Sequence, residues 1–275
     1  MLNPIFAQPG WRPDGLASEY SCSATTKASG FTYLMSLVMS GRDAERPDRL
    51  ARHAELETFL ATPESVAECK RTNSEGWTPL MLAARNSRKD SSDEAVAMLL
   101  ANESSREVAR MQNKKGWTAL MHSARNSGSD STEETVAMLL AHESGPEVAL
   151  IQESIHGYTT LMLASSSSDC GSTDETVAML LKHESSALAL LLRNKEGFST
   201  LDVAAEFLEC STETTIDMLC AVADESTLDR FTKKSPQIAS KCLFRLHTRM
   251  KERNTLSRAL KEGLSLPGAT ALLYL

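Results

Sequence analysis

The chain has 275 residues, a formal net charge of −7, 41% apolar residues and 5% aromatic ones. No apolar run approaches the ~20 residues a spanning helix needs, so no membrane span is expected. So few aromatics suit an array built from Leu, Ala, Val and Met better than a β-sandwich. The charge is uneven. Residues 1–225 hold 19 Lys+Arg against 33 Asp+Glu, a net of −14, while residues 226–275 hold 10 against 3, a net of +7. The acidic part would repel phosphates, which argues against nucleic-acid binding through it.

The opening MLNPIFAQPGWRPDG has no basic region followed by an apolar stretch, so it does not read as a secretory signal. Residues 1–29 are rich in Gly, Pro and Ser and are expected to be a poorly ordered lead. Beyond them the chain repeats itself. GWTPLMLAA begins at Gly76, GWTALMHSA at Gly116, GYTTLMLAS at Gly157 and GFSTLDVAA at Gly197, in steps of 40, 41 and 40. A blurred copy, GFTYLMSLV, begins at Gly30, 46 residues before the first clear one. A fixed period of this size marks a stacked repeat architecture.

Each copy opens with a turn. Asn73-Ser-Glu-Gly76, Asn113-Lys-Lys-Gly116 and Asn194-Lys-Glu-Gly197 place Asn first and Gly last, as a type I turn prefers. The copy at Gly157 has Ser154-Ile-His-Gly157 instead. Thr78 then suits a helix cap, and Pro79 suits the first helical position. Leu80, Ala83 and Ala84, with Leu120, Ser123, Ala124, Leu161, Ala164, Ser165, Leu201, Ala204 and Ala205 in the later copies, repeat at i, i+3, i+4 and predict one helix face. A polar stretch follows. A second helix is predicted behind S-x-x-E boxes at Ser91/Glu94, Ser131/Glu134 and Ser172/Glu175. Its inner face would be Val96, Leu99, Leu100; Val136, Leu139, Leu140; Val177, Leu180, Leu181; and Ile216, Leu219, Cys220. Boxes at Ser104/Glu107 and Ser144/Glu147 predict one extra helical turn near 107–111 and 147–151.

Turn, helix, loop and antiparallel helix, with G-x-T-x-L ahead of paired small residues and then V-x-x-L-L, resembles the ankyrin repeat. The resemblance covers about Gly30 to Cys220. The period is longer than the family's ~33 residues, as in the large ankyrin families of some unicellular eukaryotes. The family's His after Leu is Met81, Met121, Met162 or Asp202 here. The resemblance implies an all-α, ankyrin-like α-solenoid of stacked helix–loop–helix repeats with short turn fingers. Its repeats would start near 30, 76, 116, 157 and 197 within residues 30–221, in a single elongated stack. Residues 222–275 would form a basic helical cap.

No G-x-S-x-G elbow, GxxxxGK[ST] loop, GxGxxG turn or kinase signature occurs, so no enzyme, cofactor or metal site is expected. His142-Glu143 and His183-Glu184 invite a metal reading. They stand where another copy has Asn102-Glu103, which favours a cap. Arg85 and Arg125 read as solvated helix ends facing the helix dipole. The six cysteines, Cys22, Cys69, Cys170, Cys210, Cys220 and Cys242, form no CxxC pair and are read as reduced thiols of a cytoplasmic protein, without disulfides.

The expected function is non-catalytic protein binding by a monomeric scaffold or adaptor. The resemblance places the contacts on the turn fingers and first helices: Ser74, Glu75, Trp77, Lys114, Lys115, Trp117, Ile155, His156, Tyr158, Lys195 and Glu196. Should the fingers fail, the row Met81, His122, Leu163 is next. The aromatics Phe31, Trp77, Trp117, Tyr158 and Phe198 read first as a packed ladder and second as a binding stripe. In the tail, Ile238, Cys242 and Leu246 share one helical face that suits a cap on the last repeat. Together with Leu264, Leu266, Pro267 and Tyr274-Leu275 they also resemble a degenerate SOCS box, which would imply a substrate adaptor of a cullin-type ubiquitin ligase.

Overall fold

A computed structural model describes residues 30–39 and 46–242. These residues are helical, with no strand among them. They divide into two compact units. One runs to Ser123 and takes in Asp130–Ser144; the other holds Ala124–Ser129 and everything from Gly145.

The first unit contains α1 (Tyr33–Val38), α2 (Arg46–Leu60), α3 (Glu64–Cys69), α4 (Pro79–Arg85), α5 (Asp93–Leu100), α6 (Ser105–Arg110), the start of α7 (Ala119–Asn126) and α8 (Glu133–Ala141). The second contains α9 (Gly145–Val148), α10 (Thr160–Ser165), α11 (Asp174–Lys182), α12 (Ser186–Leu191), α13 (Thr200–Glu206), α14 (Glu213–Val222) and α15 (Glu225–Lys234). A further helix starts at Pro236. Every repeat pairs a short first helix with a second. Like packs on like: α1 on α4, α2 on α5 and α5 on α8 in the first unit, α10 on α13 and α11 on α14 in the second. The blurred copy at Gly30 therefore builds a helix pair of its own.

Local chemistry explains each element. Gly30, Gly76, Gly116, Gly157 and Gly197 have φ between 76° and 81°, the left-handed region that side chains other than glycine's avoid. Two residues on, a hydroxyl caps each first helix: Thr78 accepts from Met81 N at 3.2 Å, Thr118 from Met121 N at 3.3 Å, Thr159 from Met162 N at 3.2 Å and Ser199 from Asp202 N at 3.2 Å. The first helices lie inside, with all seven residues of α4 buried. Their small residues, such as Ala83, Ala84 and Ala124 at 0% exposure, let the neighbouring helices approach closely. Met81, Met121 and Met162 are also 0% exposed, so thioether packing fills the place of the family's histidine.

The caps of the second helices move by one residue. The second helices are capped by Ser92, Thr132, Thr173 and Thr212, each accepting from the amide three residues on, rather than by Ser91, Ser131 and Ser172. A hydroxyl pair such as Ser91-Ser92 or Ser131-Thr132 satisfies the rule twice, and the second member wins. The first member turns inward: the Ser131 hydroxyl donates to Ala84 O at 2.6 Å. The extra turn is real but starts earlier, at Ser105 and Gly145. Its Ser104 makes no cap bond and donates to Asn102 Oδ1 instead, at 2.6 Å.

At the end of the second unit, Phe231, Ala239 and Cys242, all 0% exposed, join Leu201, Ala204, Ile216, Leu219 and Cys220 in one apolar cluster, with Ile238 half-buried beside it. Three side chains of the tail thus cover the last helix pair. Leu246 and the SOCS-like residues Leu264, Leu266, Pro267, Tyr274 and Leu275 lie outside the described residues.

Candidate functional site

The turn fingers are held at the base and open at the tip. Asn73 Oδ1 accepts from the amides of Glu75 and Trp77, at 2.9 and 3.0 Å. Asn113 Oδ1 does the same for Lys115 and Trp117, and Asn194 Oδ1 for Glu196 and Phe198. In the copy at Gly157, the base residue is Glu153 rather than Ser154. Its carboxylate, 3% exposed, accepts from Ile155, His156 and Tyr158 at 2.6, 2.6 and 3.1 Å. This turn has one residue more than the others, which accounts for the 41-residue step.

Adjacent turns stack within each unit. Lys114 N donates to Glu75 O at 3.1 Å in the first, and Lys195 N to His156 O at 2.8 Å in the second. Ser74, Glu75, Lys114 and Lys115 are exposed, as are Ile155, Lys195 and Glu196, while His156 is half-buried. Ile155 is 55% exposed.

The rings behave as packing. Trp77 is 3% exposed and Tyr158 7%. His122, itself 2% exposed, lies between two indoles, with ring centroids 4.0 Å from Trp77 and 4.9 Å from Trp117, and its Nε2 meets Asn113 Nδ2 at 3.2 Å. Tyr158 stacks on His156 at 5.3 Å. Burial, and then the nearby Glu196, Glu206 and Glu153 carboxylates, push the Tyr158 hydroxyl up to about 12. The row Met81, His122, Leu163 is buried throughout, so it is no surface.

The loops between helices carry a hydroxyl network that the sequence reading missed. In the first unit, Thr132 and Thr135 donate to Asp93 Oδ1 at 2.5 and 2.6 Å, and Arg88 N donates to Asp130 O at 3.0 Å. In the second, Thr176 donates to Ser127 at 2.7 Å, Thr215 to Asp174 Oδ1 at 2.8 Å with Thr212 beside it, and Ser211 to Ser165 O at 2.8 Å. Backbone bonds Gly128 N to Gly171 O and Asp169 N to Cys210 O run through the same loops, at 2.9 and 2.8 Å. Arg85 is 5% exposed with Nη2 3.7 Å from Asp130 Oδ2, so it is a buried link between repeats rather than a solvated end.

Two cysteine readings change. Cys170 and Cys210 form a disulfide, with Cα atoms 5.1 Å apart and a sequence separation of 40. Each stands 13 residues after its turn glycine, so these two do recur in register. Cys69, Cys220 and Cys242 are free and buried. The His-Glu pairs act as turn anchors. His142 Nδ1 accepts from Ser144 N at 3.3 Å and His183 Nδ1 from Ser185 N at 3.3 Å, as Asn102 Oδ1 does from Ser104 N at 3.0 Å. Burial lowers the His142 imidazole below the usual histidine range, with the Arg110 charge acting the same way and Glu143 opposing. No cluster of metal ligands occurs among the described residues, and no described helix is long and apolar enough to cross a membrane.

Comparison with known proteins agrees with this geometry. Residues 49–150 match the family described as ankyrin repeats (3 copies). No curated protein matches. Among solved structures, the crystal structure of EF0377, an ankyrin repeat protein, is similar with a TM-score of 0.52. The two are 18% identical over 71% of this chain and 82% of that one, so the likeness is one of fold.

Proposed function

We propose, from the match of residues 49–150 to ankyrin repeats, which are in general protein–protein interaction modules, that the chain is a non-catalytic, monomeric scaffold or adaptor that grips a protein partner through its turn tips. The observation that carries this reading is the contrast within each finger. The Asn Oδ1 atoms at the base are buried and accept backbone amides, while the tip residues Ser74, Glu75, Lys114, Lys115, Ile155, Lys195 and Glu196 face solvent. A tip fixed before contact loses little freedom on binding, so more of its interaction energy appears as affinity. Mixed charge with one exposed apolar residue suits a protein surface better than a polyanion. Trp77 and Tyr158 serve this site from beneath, by shaping the backbone; Trp117 and His156 are half-buried flanks.

Changing Lys114, Lys115 and Ile155 together to Ala tests the reading. A partner captured by the full chain should lose ~1–3 kcal/mol of affinity, with helicity and melting unchanged. A normally folded triple variant that binds at full strength would refute the tip site. For the ubiquitin-ligase adaptor, nothing in the fold argues: Ile238 and Cys242, which it would use, pack on the last helix pair. The cytoplasmic expectation belongs to the same reading, and the Cys170–Cys210 bridge bears on it directly.

A further inference from the structure

We propose that Cys170 and Cys210 form a redox-controlled clasp that sets how readily the last repeats of the second unit come apart. The pair joins the interhelical loops of two consecutive repeats, behind α10 and behind α13. Cys170 is exposed and Cys210 half-exposed, so a small thiol or disulfide reaches the sulfurs without unfolding. The other described thiols contrast with them. Cys69, Cys220 and Cys242 are buried, and although Cys220 and Cys242 lie 3.0 Å apart, the Cys242 thiol donates to Asp217 inside the apolar cluster. The hydrogen bond with Cys220, then burial and the hydrogen bond with Asp217, hold the Cys242 thiol protonated, hence unreactive.

The loops do not need the bridge to meet. Asp169 N donates to Cys210 O at 2.8 Å, Thr212 N to Ser168 Oγ at 2.9 Å and Ser211 Oγ to Ser165 O at 2.8 Å. Reduction therefore leaves the two thiols facing each other, ready to close again. The cycle is thiol–disulfide exchange with a small-molecule disulfide such as oxidised glutathione. The Cys170 thiolate attacks that disulfide and releases one thiol. The Cys210 thiolate then attacks the Cys170 sulfur in the mixed disulfide and releases the second. Two protein thiols become one disulfide, and the small disulfide is reduced to two thiols. Opening runs the exchange backwards. The bridge closes a 40-residue loop, which restricts the unfolded chain without altering the folded one.

The experiment uses the full chain equilibrated in glutathione buffers of graded redox ratio. Differential alkylation with peptide mass mapping reads the cysteines; melting and amide hydrogen exchange read stability. The oxidised chain should yield the Cys170–Cys210 linked peptide. Reduction should lower the melting temperature by roughly 10 °C and speed exchange in residues 169–171 and 210–212. The double variant Cys170→Ser, Cys210→Ser should fold, since Ser129 occupies the same count after Gly116, and should melt like the reduced chain in every buffer. A Cys220–Cys242 link in place of the expected one, equal melting of the two redox forms, or a double variant that still responds to reductant would each overturn the proposal.

Discussion

Gly76 and Gly197 make a matched pair of perturbations, because they share a backbone and differ in surroundings. Both have φ near +80°. An alanine there pays the left-handed penalty of ~1–2 kcal/mol, partly offset by ~0.4–1 kcal/mol from a less flexible unfolded chain. At Gly197 nothing lies within 4 Å of the new Cβ, so Gly197→Ala should cost about 1 kcal/mol or less. At Gly76 the Cβ would come 2.9 Å from Lys114 N and 3.1 Å from the Asn113 Cα. Both are backbone atoms of the next turn and cannot rotate away. Overpacking of this kind adds ~1–3 kcal/mol, so Gly76→Ala should cost about 2–4 kcal/mol in all. Urea titrations with unchanged m-values measure the difference. Amide exchange adds a local readout, because the clash should loosen the bond from Lys114 N to Glu75 O. If the two variants lose stability equally, within ~0.5 kcal/mol, the turns of the first unit do not stack and the argument for preformed fingers there fails.

Leu139→Ala removes a side chain 4% exposed on α8, and calorimetry should show a loss of ~2–5 kcal/mol; a change below ~0.5 kcal/mol would mean that face is not core. For His142, the folded imidazole lies below its ordinary value of 6.5, so the unfolded chain binds more protons between the folded value and 6.5. That contribution is fully present above 6.5 and is lost as the pH falls through this window. His142→Asn, which copies Asn102 and keeps the acceptor, should flatten the pH dependence of the urea midpoint, and an unchanged slope would show that another group titrates. Deleting residues 226–275 strips Phe231, Ala239 and Cys242 from the cluster around Leu219. Light scattering should then show self-association; a monomeric and equally stable truncation would dismiss the cap.

Period, helix pairs and buried faces were legible because each follows from short-range rules. A glycine after N-x-x, a threonine two residues later and small residues at i+3 and i+4 dictate turn, cap and close packing locally. The hydroxyl network was not legible. Thr135 finds Asp93 42 residues away, and a serine-rich loop looks like any solvated linker until its neighbour is beside it. The cap shift from Ser131 to Thr132 turned on which of two adequate hydroxyls points inward. The disulfide was within reach: Cys170 and Cys210 stand 40 residues apart, the same step as Gly157 to Gly197. Of the finger residues, Trp77 and Tyr158 follow the first of their two readings, the packed ladder, because a ring following a turn has room to fold beneath it.

Glu153 shows that a finger's base and its tip are separate variables. A carboxylate collecting three amides supports a five-residue turn where an asparagine supports four. The first helix and its cap are unchanged behind either one. Loop length and loop chemistry can therefore diversify under mutation without renegotiating the scaffold, much as hypervariable loops do on an antibody. A combinatorial library that fixes Asn or Glu at the base and Gly at the end, and randomises the two or three residues between, would sample new specificities in a chain that still folds.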